Sequence, residues 1–183
     1  MSEPSDSDVP GSPGGPIDDR LRRRVLWALP TGLYVVGSRD GDRCNLMTAN
    51  LVVQVATDPK LVAVAVDDGA VTADLVAGGG CFSVNLLARA DRAAVRRFVK
   101  PVADVVTGPD GRVVSMGGEV VTEAVTGAPV LGRAVAWLDC AVRHRLDLGS
   151  HRLFVGEVVG VGGPEGDLPP VLRMEDTRMN YGG

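Results

Sequence analysis

Between Arg43 and Pro59 the chain reads RCNLMTANLVVQVATDP, and four uncharged polar side chains, Asn45, Thr48, Asn50 and Gln54, interrupt a run that a purely structural strand would fill with valine or isoleucine. Amides and hydroxyls in such a setting hydrogen-bond rather than shuttle protons. They either meet a polar ligand or face solvent, and strand parity, which puts Thr48, Asn50 and Gln54 on one face of an undistorted strand, suits both. Elsewhere the residues for self-sufficient catalysis are sparse. His144 and His151 are the only histidines, and no Cys or carboxylate spacing joins them into a metal site. Asp18-Asp19 and Asp67-Asp68 flank turns, where solvated acids are the default. Cys44, Cys81 and Cys140 lie far apart with no Cys-x-x-Cys pair, so free thiols are expected rather than a disulfide framework or a zinc ribbon. The glycine-rich stretch Gly160 to Gly166 has Pro164 where a dinucleotide-fold helix should begin, and neither a phosphate loop nor a Gly-x-Ser-x-Gly elbow occurs. An enzyme built this way would leave its chemistry to a cofactor.

The elements that must position these residues read mostly as strands. Leu33 to Ser38 and Arg43 to Ala56 flank Arg39-Asp40-Gly41-Asp42, a hairpin signal, and the second run is long enough to bend or bulge. Leu61 to Val66 and Cys81 to Leu87 are continuous apolar runs of buried-strand length. Ala134 to Leu146 and His151 to Val161 are long strands joined by Asp147-Leu148-Gly149-Ser150, short strands are expected within Val113 to Val125, and Val171 to Met174 reads as a short final strand. Helices are expected at Asp18 to Trp27, Val71 to Ala77 and Asp91 to Val99, the last with Ala94, Val95 and Phe98 opposite its arginines. Many antiparallel strands with two or three short helices argue for a mainly β, closed or partly open barrel, which leaves few exposed edges.

A length of 183 residues fits one domain. Met1 to Pro16, rich in Pro, Gly and Ser without apolar periodicity, reads as a disordered N-terminal tail ahead of a domain spanning residues 17–183. The net charge of −4 gives no long-range attraction to nucleic acid. No apolar stretch approaches the roughly 20 residues of a membrane span, and the N-terminus lacks the order of a secretory signal, so a cytoplasmic protein with no membrane or nucleic-acid partner is expected.

The blocks Asn45 to Pro59, Leu61 to Val66, Thr72 and Gly80-Cys81-Phe82-Ser83-Val84-Asn85-Leu86, followed by Gly127-Ala128-Pro129-Val130-Leu131, Leu138-Asp139-Cys140 and Gly149 to Val158, resemble the flavin reductase-like family in kind and order. Asn50, Gln54, Asp58-Pro59 and Tyr181-Gly182-Gly183 are most similar to its flavoredoxin and ferric-reductase-like branch. The resemblance implies an antiparallel Greek-key split barrel that binds FMN, or FAD, in a groove of a homodimer. It implies hydride transfer from NAD(P)H to the flavin, with a monooxygenase or another electron acceptor as possible partner. The alternative is a non-enzymatic FMN-binding electron-transfer protein or a ferric reductase. Asn45 and Met47-Thr48-Ala49-Asn50 would lie along the isoalloxazine and ribityl chain, with Gln54 beyond them. Thr72 would meet the phosphate or cap its helix, and Phe82 and Asn85, in the family's Phe-x-Val-Asn strand, are cofactor-binding candidates, Phe82 with the core as its other reading and Asn85 near the flavin. Lys100 would offer charge to a phosphate or belong to an exposed basic face, and His151 would orient the hydride donor, next to Ser150 where the family often has Asp.

Overall fold

Runs of β-branched and small residues, punctuated by glycine at the turns, form eleven strands and two short α-helices over residues 17–179, those that the computed structural model describes. The expected tail over Met1 to Pro16 and the Tyr181-Gly182-Gly183 ending lie outside the described residues. Helix α1 (Asp19–Trp27) begins where Asp18 caps it, its Oδ1 accepting from the backbone N–H of Arg20 at 2.9 Å and of Leu21 at 3.3 Å. It belongs to a unit separate from Pro30–Met179, and none of its residues is buried.

Within Pro30–Met179 every strand pairing is antiparallel. The chain first folds β1 (Tyr34–Asp40) on β2 (Arg43–Ala49) through Gly41-Asp42, with φ +57° at Gly41, a conformation that costs glycine nothing. It continues through β3 (Val52–Thr57), β4 (Lys60–Asp67), α2 (Val71–Gly79) and β5 (Cys81–Leu86). Four short strands follow, β6 (Val105–Thr107), β7 (Val113–Met116), β8 (Glu119–Glu123) and β9 (Pro129–Leu131), then the long hairpin β10 (Ala136–Asp147) and β11 (His151–Gly162). The short strands form their own sheet in the order β6-β7-β8-β9, and the other seven form a sheet in the order β2-β1-β5-β10-β11-β4-β3. Its two edges, β2 and β3, are consecutive in the chain, so the sheet must curl until they meet at Asn50-Leu51. That unbonded seam is the gap between the two edges of the sheet.

Two expectations needed correcting here. Arg43 to Ala56 is not one bent strand but two strands on opposite edges of the sheet. Asp91 to Val99 is not an α-helix but the 3-10 turns Arg89–Asp91 and Ala94–Phe98. Its apolar residues Ala94, Val95 and Phe98 are buried as the pattern required, but the Val95 carbonyl, which an α-helix would offer to Val99, accepts the Thr48 hydroxyl. The final strand contracts to isolated bridges, Ala88 to Val171 and Gly32 to Arg173, followed by a 3-10 turn at Met174–Asp176.

Strand β1 is buried on both faces, which explains its unbroken apolar run. Val35 joins Leu46, Leu87, Val95, Phe98, Met116 and Leu131 in one core cluster. Val36 joins Val64, Val66, Val76, Phe82, Val84 and Phe154 in the other. In the second cluster β11 approaches so closely that a Cβ on Gly156 would lie 2.7 Å from Phe82 and 2.8 Å from Cys140. Among the described residues no helix is long and apolar enough to cross a membrane.

Candidate functional site

The crossing from β2 to β3 leaves Asn50 half-buried at the seam. Thr31, Asn50, Leu51, Val52, Val53, Ala63, Ala65 and Leu153 enclose a groove of about 260 Å³ there. The Leu51 carbonyl, 3.0 Å from the Ala65 N–H, fixes one rim. Side chains alternate along a strand, so His151 shares the face of β11 that carries Leu153, opposite Asp67 in register. Groove and imidazole therefore open on the same side of the sheet. The ring is half-buried, and its Nδ1 lies 3.0 Å from the Ser150 hydroxyl, a side-chain partner where an Asp was the family pattern.

Beside it Arg152 points to the other face and ties the strand start to α2. It donates to the Asp68 carbonyl and to the Asp74 carboxylate, each at 2.8 Å. Its side chain is only 9% exposed, so these charge-assisted bonds hold the start of β11, and with it His151, in place.

The other predicted residues divide between supports and surface. Asn45 is buried, donating to the Thr72 hydroxyl oxygen at 3.0 Å and accepting from the Val102 N–H at 2.9 Å. Thr72, also buried, does not cap its helix: the cap position is Ala70, with no side-chain bond, and of the first-turn amides that of Ala73 donates to the Ala70 carbonyl at 2.9 Å. Thr48 turns inward and donates to the Val95 carbonyl at 2.5 Å, so it does not share a face with Asn50. Met47 and Ala49 pack into the barrel core with Phe82. Gln54 is exposed and donates to Ala56 O, across the bulge in its own strand, at 3.0 Å. Lys100 is exposed.

Asn85 departs most from expectation. It is 0% exposed, donating to the Val35 carbonyl at 2.9 Å and to Ser83 Oγ at 3.1 Å, and accepting from the Leu131 N–H at 2.9 Å. Ser83 in turn donates to the Pro129 carbonyl at 2.6 Å. These two side chains fasten β5 to β9, and the Asn85 amide has no group left for a ligand. Buried Asp139 likewise accepts from the Thr126 N–H and hydroxyl at 2.8 and 2.6 Å. Of the other groove residues, Ala63 and Ala65 lie in the Leu61 to Val66 block and Leu153 in the Gly149 to Val158 block, but none of them, nor Thr31, stands out, since small or apolar residues carry no sign of a site.

Desolvation raises all three thiols, that of Cys140 up to about 12, and so keeps them protonated and poorly nucleophilic at neutral pH. The geometry thus offers a narrow, mostly apolar groove with one amide and one imidazole on its side of the sheet. It suits the binding of a flat ligand better than nucleophilic chemistry.

Residues 26–182 match the model of the flavin reductase like domain. The chain belongs to the flavin reductase-like family. It is 27% identical over 165 residues to the NADH-dependent flavin reductase StyB of Pseudomonas fluorescens, covering 90% of each chain. It is 34% identical over 142 residues to an NADH-dependent FAD reductase of Streptomyces globisporus, covering 77% of this chain and 75% of that one. Among solved structures, the NADH:FAD oxidoreductase SgcE6 of Streptomyces globisporus C-1027 superposes with a TM-score of 0.68 at 27% identity, over 93% of this chain and 98% of that one. The styrene monooxygenase flavin reductase of Pseudomonas putida S12 gives 0.67 at 27% identity, over 86% and 94%. For a flavin reductase-like chain, the scarcity of its own acids, bases and nucleophiles is what cofactor chemistry leads one to expect.

Proposed function

We propose that the chain is an NAD(P)H-dependent flavin reductase that holds FMN or FAD in the groove at Asn50, with His151 orienting the nicotinamide donor. The observation that carries this reading is the shared sheet face of the Asn50 groove and His151, in a chain of the flavin reductase-like family. The residues suit such a group: Ala63, Ala65 and Leu153 give an apolar surface for a flat ring, and Asn50 gives an amide at its edge. At the uncapped start of α2 the Val71 and Thr72 amides would be the backbone donors to a phosphate, since that of Ala73 is bonded to Ala70 O. A bound flavin supplies the two-electron acceptor for the donor's hydride. The chain's own part is to bind, orient and exclude water, and Thr48, Asn45 and Arg152 do so indirectly by holding β2 and β11.

The same sheet face favours a homodimer. Val53, Ala63 and Val155 form one cross-strand row, and Ala65, Leu153 and Leu146 the next, with Val53 60% and Leu146 56% exposed. Contiguous apolar rows of this kind call for a cover, and a second copy meeting its own patch is the commonest one. Reduced flavin would then pass to an acceptor such as a monooxygenase, in the cytoplasm where nicotinamide nucleotides are at hand.

The test is oxidation of NADH and NADPH by the purified chain with FMN, FAD or riboflavin added. Turnover with either donor supports the reading, and Asn50→Leu should weaken flavin binding while His151→Ala slows reduction by the donor more than it weakens flavin binding. Flavin binding without turnover would replace it by an electron-transfer flavoprotein.

A further inference from the structure

A second cavity, larger and of different chemistry, borders the 3-10 turn that contains Val95. About 620 Å³ in volume, it is lined by Arg92, Ala93 and Arg96 on one wall and by Glu175, Asp176, Thr177 and Arg178 on the other. Its carboxylates already have partners: Asp176 lies 3.0 Å from Arg89 and accepts the Arg173 N–H at 2.9 Å, and Glu175 lies 3.5 Å from Arg173. The Thr177 hydroxyl is bonded within its own segment, to Met174 O and the Met179 N–H. By contrast, the guanidinium groups of Arg92, Arg96 and Arg178 have no ion pair or side-chain hydrogen bond among the described residues, whereas neighbouring Arg97 is paired with Glu119 at 3.1 Å. Three exposed arginines without an ion pair therefore line one concavity, beside two carboxylates that are already paired with Arg89 and Arg173. Arg92 and Arg96 flank Ala93, the small residue on their wall of the cavity.

The cavity is also mechanically joined to the groove. Val95 accepts the Thr48 hydroxyl at the end of β2, and Met174 donates to the carbonyl of Thr31, a groove residue, at 3.0 Å. Both walls are therefore tied to the rim of the Asn50 groove. Planar forks with no internal partner suit phosphate oxygens, which guanidinium groups bind in pairs. A volume of this size admits a diphosphate with a nucleoside attached, not merely a phosphate.

We propose that this cleft is a phosphate site for the adenylate half of a dinucleotide, held by Arg92, Arg96 and Arg178. It deepens the flavin reductase reading, on which it rests only for the source of that half: the tail of FAD or the nicotinamide donor.

The experiment uses the full chain at about 50 mM salt, where exposed charges are weakly screened, and measures ADP binding by calorimetry without flavin. Wild type should bind ADP, the Arg92→Ala/Arg96→Ala double variant and Arg178→Ala should each weaken it by about tenfold or more, and Arg92→Lys/Arg96→Lys should retain part of the affinity. Undetectable ADP binding to wild type, or variant affinities within about twofold of it, would overturn the proposal. The unfolding midpoints of these surface variants should match wild type. Two further titrations identify the source. A weakened FAD affinity with riboflavin affinity unchanged assigns the cleft to the FAD tail, and a raised KM for the donor with FAD unchanged assigns it to the donor. Arginine-dependent ADP binding by a chain that takes up no flavin would leave the cleft standing and remove the flavin reading instead.

Discussion

The Thr48 hydroxyl donates to the Val95 carbonyl over 2.5 Å, a bond between residues 47 positions apart that pins the end of β2 to the 3-10 turn Ala94–Phe98. Asn50 follows two residues after Thr48, so the polar residue that faces the groove is mounted on one that does not. Thr48→Val should leave a buried carbonyl without its partner and destabilise the fold by about 1–3 kcal/mol in urea unfolding. Thr48→Ser should recover most of that loss. Flavin affinity should follow the same order, and an unchanged affinity in Thr48→Val would show that Asn50 needs no such mount.

Asn85 gives a contrasting expectation. Asn85→Leu removes the partners of the Val35 carbonyl and the Leu131 N–H, at about 1–3 kcal/mol for each buried group left unpaired. The flavin affinity of the protein that remains folded should stay within about twofold of wild type, since the side chain serves the junction of the sheets rather than the groove. Stability by urea and binding by fluorescence titration, read on one sample, separate the two effects.

Alkaline pH should weaken the fold through its thiols. Burial, with the Asp139 charge adding to it, raises Cys140 from 9.0 up to about 12, and burial also raises Cys44 and Cys81. The unfolded thiol loses its proton first. The contribution of Cys140 is therefore fully present below about pH 9 and falls between there and about pH 12, at up to about 1.4 kcal/mol per pH unit. Urea midpoints taken across that window should show the decline, and Cys140→Ala should flatten it.

The apolar rows make a prediction about assembly. If the proposed dimer forms through this patch, wild type should sediment as a dimer, and Val53→Lys with Leu153→Lys, which places like charges on facing copies, should sediment as a monomer. A double variant that sediments as wild type would move the interface to another face.

Much of the fold was legible in the sequence because burial leaves a period. The Leu61 to Val66 run became β4, and Cys81 to Leu87 became β5, within a residue or so of the expected bounds. The break at Asn50-Leu51 was not legible, since neither proline nor glycine marks it and the β-branched pattern resumes at once in Val52-Val53. The helix expected at Asp91 to Val99 is replaced by 3-10 turns that keep its apolar residues buried, with the Val95 carbonyl accepting from Thr48. Within the site, Asn50 and His151 stood out by type. Asn45, Thr48 and Asn85 stood out equally and turned out to brace neighbouring elements, because an inward polar side chain in a strand can satisfy the backbone of whatever packs on it. Ala63 and Ala65 carry no chemical signature at all.

The β3–β4 hairpin has a consequence for synthesis. It joins the rest of its sheet only through β11, since β4 pairs with β3 on one side and β11 on the other. A nascent chain that has not yet produced Leu153 can pair the β1–β2 and β3–β4 hairpins and pack α2 on both, but the β11 wall of the Asn50 groove is still missing, however early Asn50 was translated. A chain stalled short of β11 would therefore carry an unfinished groove, not a weakened one.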